Sequence, residues 1–210
     1  MNTDRILIFL LILFYLTACT NPFTTRADKV EKPDLGSSNV EYDHPALNPE
    51  EVLSNFEKAV DNKNAVEYMR CFSPEEASDP FKYHFEAEPY FNNELIGIPW
   101  TRANENDYFL NLKRLNSINF YFNNAGTPAL TLITPGGQYE SRQTNVVPYT
   151  LEVSESLDSL TVFKGLIQLR LYESPDGNWY IYYWSDNALD TDYNLTWTAL
   201  KLKYRKQGTP

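Results

Sequence analysis

The sequence predicts an α+β domain in which helices come first and strands follow. Three observations carry this. A capped helical pattern with one apolar face runs from Asn48 to Val60. From Ile118 onward the chain changes to short alternating segments separated by turns. Aromatic residues make up 15% of the chain, with 15 Tyr, 12 Phe and 4 Trp, a composition suited to sheet packing. Helices then a meander argue for α+β over a parallel α/β sheet.

The elements follow in order. Asn48 is a helix cap, Pro49 suits the first helical position, and Glu50 and Glu51 favour the positive end of the dipole. Val52, Leu53, Phe56, Ala59 and Val60 then share one face, and Asp61-Asn62-Lys63-Asn64 ends the helix. A short second helix, Ala65 to Phe72, is expected to turn Val66, Met69 and Cys71 inward. Phe81 to Phe85 alternates as a strand, Glu88 to Glu94 reads as a helical turn, and Gly97-Ile98-Pro99 reads as a loop. Asn104 to Leu115 is the third helix, with Tyr108, Phe109, Leu112 and Leu115 on its apolar side.

Strands are then expected at Ile118–Phe122, Ala129–Thr134, Tyr149–Val153, Thr161–Glu173 and Trp179–Asp186, with a turn at Pro135-Gly136-Gly137. Ser174-Pro175-Asp176-Gly177-Asn178 is a hairpin turn between the last two. Thr196 to Tyr204 fits a helix or a strand; as a helix it would align Trp197, Leu200 and Tyr204.

The N-terminus carries a different signal. Arg5 precedes the apolar run Ile6–Leu16, which ends in small residues before Cys19. This is the order of a secretory signal peptide, and the run is far shorter than the roughly 18–20 residues of a spanning helix. Leu16-Thr17-Ala18-Cys19 resembles the bacterial lipobox. The resemblance implies cleavage before Cys19 and a diacylglycerol on its thiol. The expected organisation is a signal peptide over 1–18, a flexible tether over 19–47 and one α+β domain over 48–210. The tether is rich in Pro, Ser and charge without an apolar period, and a chain of that length spans roughly 30 Å. Thr20 rather than Asp follows the cysteine, which resembles an outer-membrane address in hosts with two membranes.

The domain's own sequence carries a second resemblance. The helix pair containing Phe56-Glu57-Lys58-Ala59 and Tyr68-Met69-Arg70-Cys71-Phe72, the aromatic strand Phe81–Phe85, and the ending Asp176-Gly177-Asn178-Trp179-Tyr180-Ile181-Tyr182-Tyr183-Trp184-Ser185-Asp186 stand in a suggestive order. Together they resemble the nuclear-transport-factor-two-like superfamily, over about residues 48–190. The resemblance implies a cystatin-like cone: a strongly curved antiparallel sheet wrapped around a helix, with a pocket at its wide end. That superfamily holds isomerases, cyclases and non-catalytic modules, so it implies no single activity.

Composition narrows the partners. The net charge is −10, and removal of residues 1–18 takes one acidic and one basic residue, leaving it unchanged. Such a chain repels phosphate backbones, so nucleic acid is excluded as the expected partner. With Cys19 lipidated, Cys71 has no partner for a disulfide, and its apolar surroundings read as a buried, inert thiol. His84 is the one histidine of the expected domain; Asp79, Glu86 and Glu88 lie near it at spacings that match no metal motif. No metal and no cofactor is expected. No nucleophile elbow, zinc-protease helix or phosphate loop is present.

The candidate pocket residues are His84, Arg170, Tyr182, Trp184 and Asp186. Strict alternation sets Tyr182, Trp184 and Asp186 on one face and Trp179, Ile181 and Tyr183 on the other, with Arg170 beside Gln168 and Tyr172. Such a face suits an aromatic or anionic ligand, and equally a structural network with Arg170 paired to Asp186 across the strands. The leading reading is a lipid-anchored, non-catalytic binding or assembly domain at the bacterial envelope, meeting a protein partner or a small ligand. The alternative is an isomerase or cyclase working in the cone.

Overall fold

The computed structural model describes residues 40–77, 79–85, 100–123, 128–133, 140–189 and 195–205. The expectations for the signal peptide, Cys19, the turn of helix at 88–94, the loop at 97–99 and the turn at 135–137 lie outside the described residues. No helix among the described residues is long and apolar enough to cross a membrane.

Helix α1 (Pro49–Asp61) starts as expected: the Asn48 side chain accepts from Glu51 N, and Val52, Leu53, Phe56, Ala59 and Val60 are buried. Its end docks on the sheet, where Asp61 accepts the backbone N–H of Phe120 at 2.6 Å. Lys63, in the left-handed region with φ 51°, turns the chain into α2 (Ala65–Arg70), capped by Asn64. Met69 and Cys71 face inward as expected, together with Tyr68, but Val66 is exposed, contrary to expectation: the six-residue helix turns Ala65 to the core in its place. Strand β1 (Lys82–Phe85) follows, then α3 (Arg102–Leu112), begun by a capping box of Thr101 and Asn104.

The remaining strands are β2 (Ser117–Phe122), β3 (Leu130–Ile133), β4 (Ser141–Thr144), β5 (Val147–Ser156), β6 (Ser159–Glu173) and β7 (Trp179–Asn187). They form a curved, unclosed seven-stranded sheet, antiparallel except that β1 joins β7 in parallel. Fifteen-residue β6 is its spine. Along one edge β6 pairs first with β5 and then with β4; along the other it pairs with β7. Thr144 manages the change of partner, since its hydroxyl accepts the N–H of Leu169 at 2.9 Å. The segment left open in the sequence is a helix, α4 (Trp197–Tyr204).

The inner face of the sheet carries Tyr149, Leu151, Phe163, Ile167, Leu169 and Ile181, and the helices cover it. Phe56 sits at the centre, within 5.4–6.1 Å of the rings of Trp184, Phe120, Tyr68, Trp197 and Phe72. On β7 its ring meets that of Trp184 at 5.4 Å, edge to face.

The domain also begins before Asn48. Asp43 and Asn55 exchange hydrogen bonds of 3.0 and 2.8 Å, and Trp179 N–H donates to Ala46 O at 3.0 Å. Residues 43–46 are therefore held on α1 and β7, which shortens the expected tether. The buried Asn55 amide holds Asp43, and the first amide of β7 holds Ala46.

Candidate functional site

A β-bulge decides the arrangement of the five candidate residues. Arg170 lies opposite Tyr183, and Leu171 lies opposite Ile181, so Tyr182 has no counterpart on β6. The extra residue inverts the alternation beyond it. Trp179 and Ile181 point inward before the bulge, and Trp184 and Asp186 point inward after it. Tyr182 does not share their face. The five residues thus fall into two groups on opposite sides of the sheet.

The outer group is His84, Arg170 and Tyr182. The Arg170 guanidinium lies 4.7 Å from the centre of the Tyr183 ring, and the His84 ring stacks on the same Tyr183 at 6.1 Å. The expected Arg170–Asp186 pair does not form, because register sets Ile167, not Arg170, opposite Asp186. His84 is exposed, whereas Tyr83, its neighbour, is buried.

The inner group is Trp184 and Asp186, and it belongs to a larger buried network around α4. Asp186 is 2% exposed. It accepts from Tyr149 (2.7 Å), Tyr83 (3.1 Å), and both the hydroxyl (2.7 Å) and backbone N–H (2.6 Å) of Thr198. The Thr198 amide is one of the first N–H groups of α4, so the carboxylate sits at the positive end of that helix. Tyr149 accepts the preceding amide, from Trp197, and Thr196 accepts from Ala199. Burial pushes the Asp186 carboxyl up, and these donors hold it down in part.

One turn further along α4, Lys201 meets Glu105 of α3 in an ion pair with both side chains 0% exposed. Glu105 also accepts from Tyr68 and Trp100, each at 2.6 Å. Aromatic rings enclose the ammonium: Tyr83 at 4.1 Å, Trp184 at 4.3 Å and Tyr108 at 4.9 Å. Desolvation lowers the Lys201 pKa to about 8 in spite of Glu105. Sequence reasoning passed over both charges. The signal was present: Lys201 follows Trp197 by one helical turn, and Glu105 precedes Tyr108, Phe109 and Leu112 on their apolar face.

A second feature is a surface cleft of about 570 Å³. It is bounded by residues 44–46, the start of α1, the end of α2, the start of α3, and residues 178–180 at the head of β7. Cys71 lies in its wall with its Sγ 3.3 Å from Glu67 O, and burial pushes that thiol up, so it stays protonated. Among the described residues no group of three His, Cys, Asp or Glu side chains is placed to hold a metal ion.

No protein-family model matches the chain, and no curated protein matches it by sequence. Solved structures do share its backbone course. A nuclear-transport-factor-2-like superfamily protein from Salmonella enterica serovar Typhimurium aligns with 68% of this chain and 89% of its own, at 12% identity and TM-score 0.47. A cystatin-like protein of the same superfamily from Novosphingobium aromaticivorans aligns with 72% of this chain and 84% of its own, at 11% identity and TM-score 0.43. A cystatin-like protein of unknown function from Nostoc punctiforme aligns with 69% and 90%, at 12% identity and TM-score 0.42. At these identities no activity carries across.

Proposed function

We propose that this chain is a lipid-anchored protein of the bacterial envelope whose domain binds or assembles and performs no chemistry. One observation supports the non-catalytic part: helix α4 fills the space enclosed by the sheet. Its Trp197 and Lys201 are fully buried, and its first turn takes up the Asp186 carboxylate. A general base must reach a substrate proton. Asp186 is occupied by donors and covered, while His84 stands outside the sheet. The lipid rests on the Leu16-Thr17-Ala18-Cys19 sequence alone. One acyl chain binds membranes marginally, and two or more hold stably.

Two measurements test the reading. Cys19→Ser should abolish incorporation of labelled palmitate and release the protein or leave it unprocessed; a variant processed and retained like the wild type overturns the anchor. Enolisable ketones and aromatic polyketides should show no turnover. Turnover lost in Asp186→Asn or His84→Ala, with folding kept, would establish the isomerase or cyclase alternative.

A further inference from the structure

We infer that the surface cleft is a binding site for a small organic carboxylate with a flat apolar body, anchored by Arg102. The inference builds on the reading of the domain as a binding module; it requires neither the lipid nor the lack of turnover. Its volume, about 570 Å³, is that of a small-molecule site. Its wall includes Val52, Phe72 and Trp179 from the core, with Tyr180 beside them. Val52, Phe72 and Trp179 are almost wholly covered and back the wall; the apolar faces open to an aromatic or alicyclic ring are those of Tyr180, Pro45 and Pro74.

The charge at the cleft is opposite to that of the chain. The protein has 28 acidic against 18 basic residues. Yet the described residues that line the cleft include Arg70 and Arg102 and no carboxylate. The two arginines differ in what they already hold. Arg70 donates to Glu67 at 2.8 Å, and the same Glu67 contacts His44. Arg102 donates from one terminal nitrogen to Met69 O at 2.8 Å, which orients the guanidinium. It pairs with no carboxylate among the described residues, and its buried Nε has no hydrogen-bond partner. A planar, permanently charged fork with no counter-ion among the described residues, next to an apolar wall, matches a carboxylate attached to a ring. Asn55 is engaged with Asp43, and Cys71 stays a thiol, so the site binds and forms no bond to its ligand.

The test is calorimetric titration of the detergent-solubilised full-length protein with 2-naphthoate, 2-naphthamide and inorganic phosphate. Naphthoate should bind at least about ten-fold more tightly than the neutral amide, and phosphate should bind weakly for want of an apolar body. Arg102→Gln should weaken naphthoate about ten-fold and leave naphthamide unchanged; Arg114→Gln, outside the cleft, should change neither. Equal affinity for acid and amide in the wild type overturns the proposal without any variant. So does full naphthoate affinity in Arg102→Gln, or no binding of naphthoate up to about 10 mM. The readout is binding alone, so its failure is separate from that of the turnover screen.

Discussion

Lys201 and Glu105 form an ion pair that solvent does not reach, between the C-terminal helix and the helix that precedes the meander. Such a pair contributes little net stability against an apolar replacement, but removal of one partner leaves a buried uncompensated charge. Lys201→Met should therefore cost roughly 3–5 kcal/mol in urea unfolding. Glu105→Gln combined with Lys201→Met should recover a substantial part, because the Gln oxygen can accept from Trp100, which can only donate, while its NH2 donates to the Tyr68 hydroxyl. A single variant within about 1 kcal/mol of the wild type would contradict the burial described.

The same lysine gives a pH dependence. Its pKa falls from 10.5 in the unfolded chain to about 8 in the fold, through desolvation. Between those values the unfolded chain holds a proton that the folded chain has released. Stability from this residue therefore rises with pH across the window and is lost as pH falls through about 8. Relative to the Glu105→Gln/Lys201→Met protein, the wild type should gain up to about 1 kcal/mol per pH unit between pH 8 and 9.5. A flat or falling difference would refute the assignment.

Gly165 is required by close approach, not by its own backbone angles. A Cβ there would lie 2.7 Å from Asn187 O and 2.7 Å from the Tyr149 hydroxyl. The first contact is backbone and cannot yield cheaply; the second belongs to the hydroxyl that joins Asp186 to Trp197 N–H. Gly165→Ala should cost about 1–3 kcal/mol. It should also speed hydrogen exchange at the amides of Trp197 and Thr198. Unchanged exchange in a destabilised variant would separate the clash from the α4 cap.

Phe56 is the ring around which helices and sheet meet. Truncation to Ala removes contacts with Trp184, Trp197 and Phe120 together and should cost roughly 3–5 kcal/mol. A loss below about 1 kcal/mol would show that the helix does not anchor the core.

The elements and much of the core were legible because their causes are local. Asn48 and Pro49 start α1, Gly177 with φ 79° turns β6 into β7, and the 3.6 period of Val52 to Val60 names the buried face. Lys201 and Glu105 were legible in principle as charges on apolar helical faces. They go unread because a charge at the end of a short helix resembles a solvated one until a partner is known.

The candidate site divides along the same line. Residue types near the end of β7 marked a chemically rich strand, and Asp186 is indeed the acceptor at the heart of the buried network. Which face each residue occupies was decided by one unpaired residue, Tyr182, since side-chain direction in a strand has period two and a single insertion inverts it. The interior beneath the sheet is occupied by α4, whose place depends on distant partners, such as Glu105, 96 residues before Lys201, and Tyr83, 115 residues before Thr198. The cleft at Arg102 likewise exists only where five separate stretches of chain meet. Capping, turn chemistry and helical period act between neighbours and are written in order along the chain; register, plugging and clefts arise from encounters between distant segments, and only the folded chain determines them.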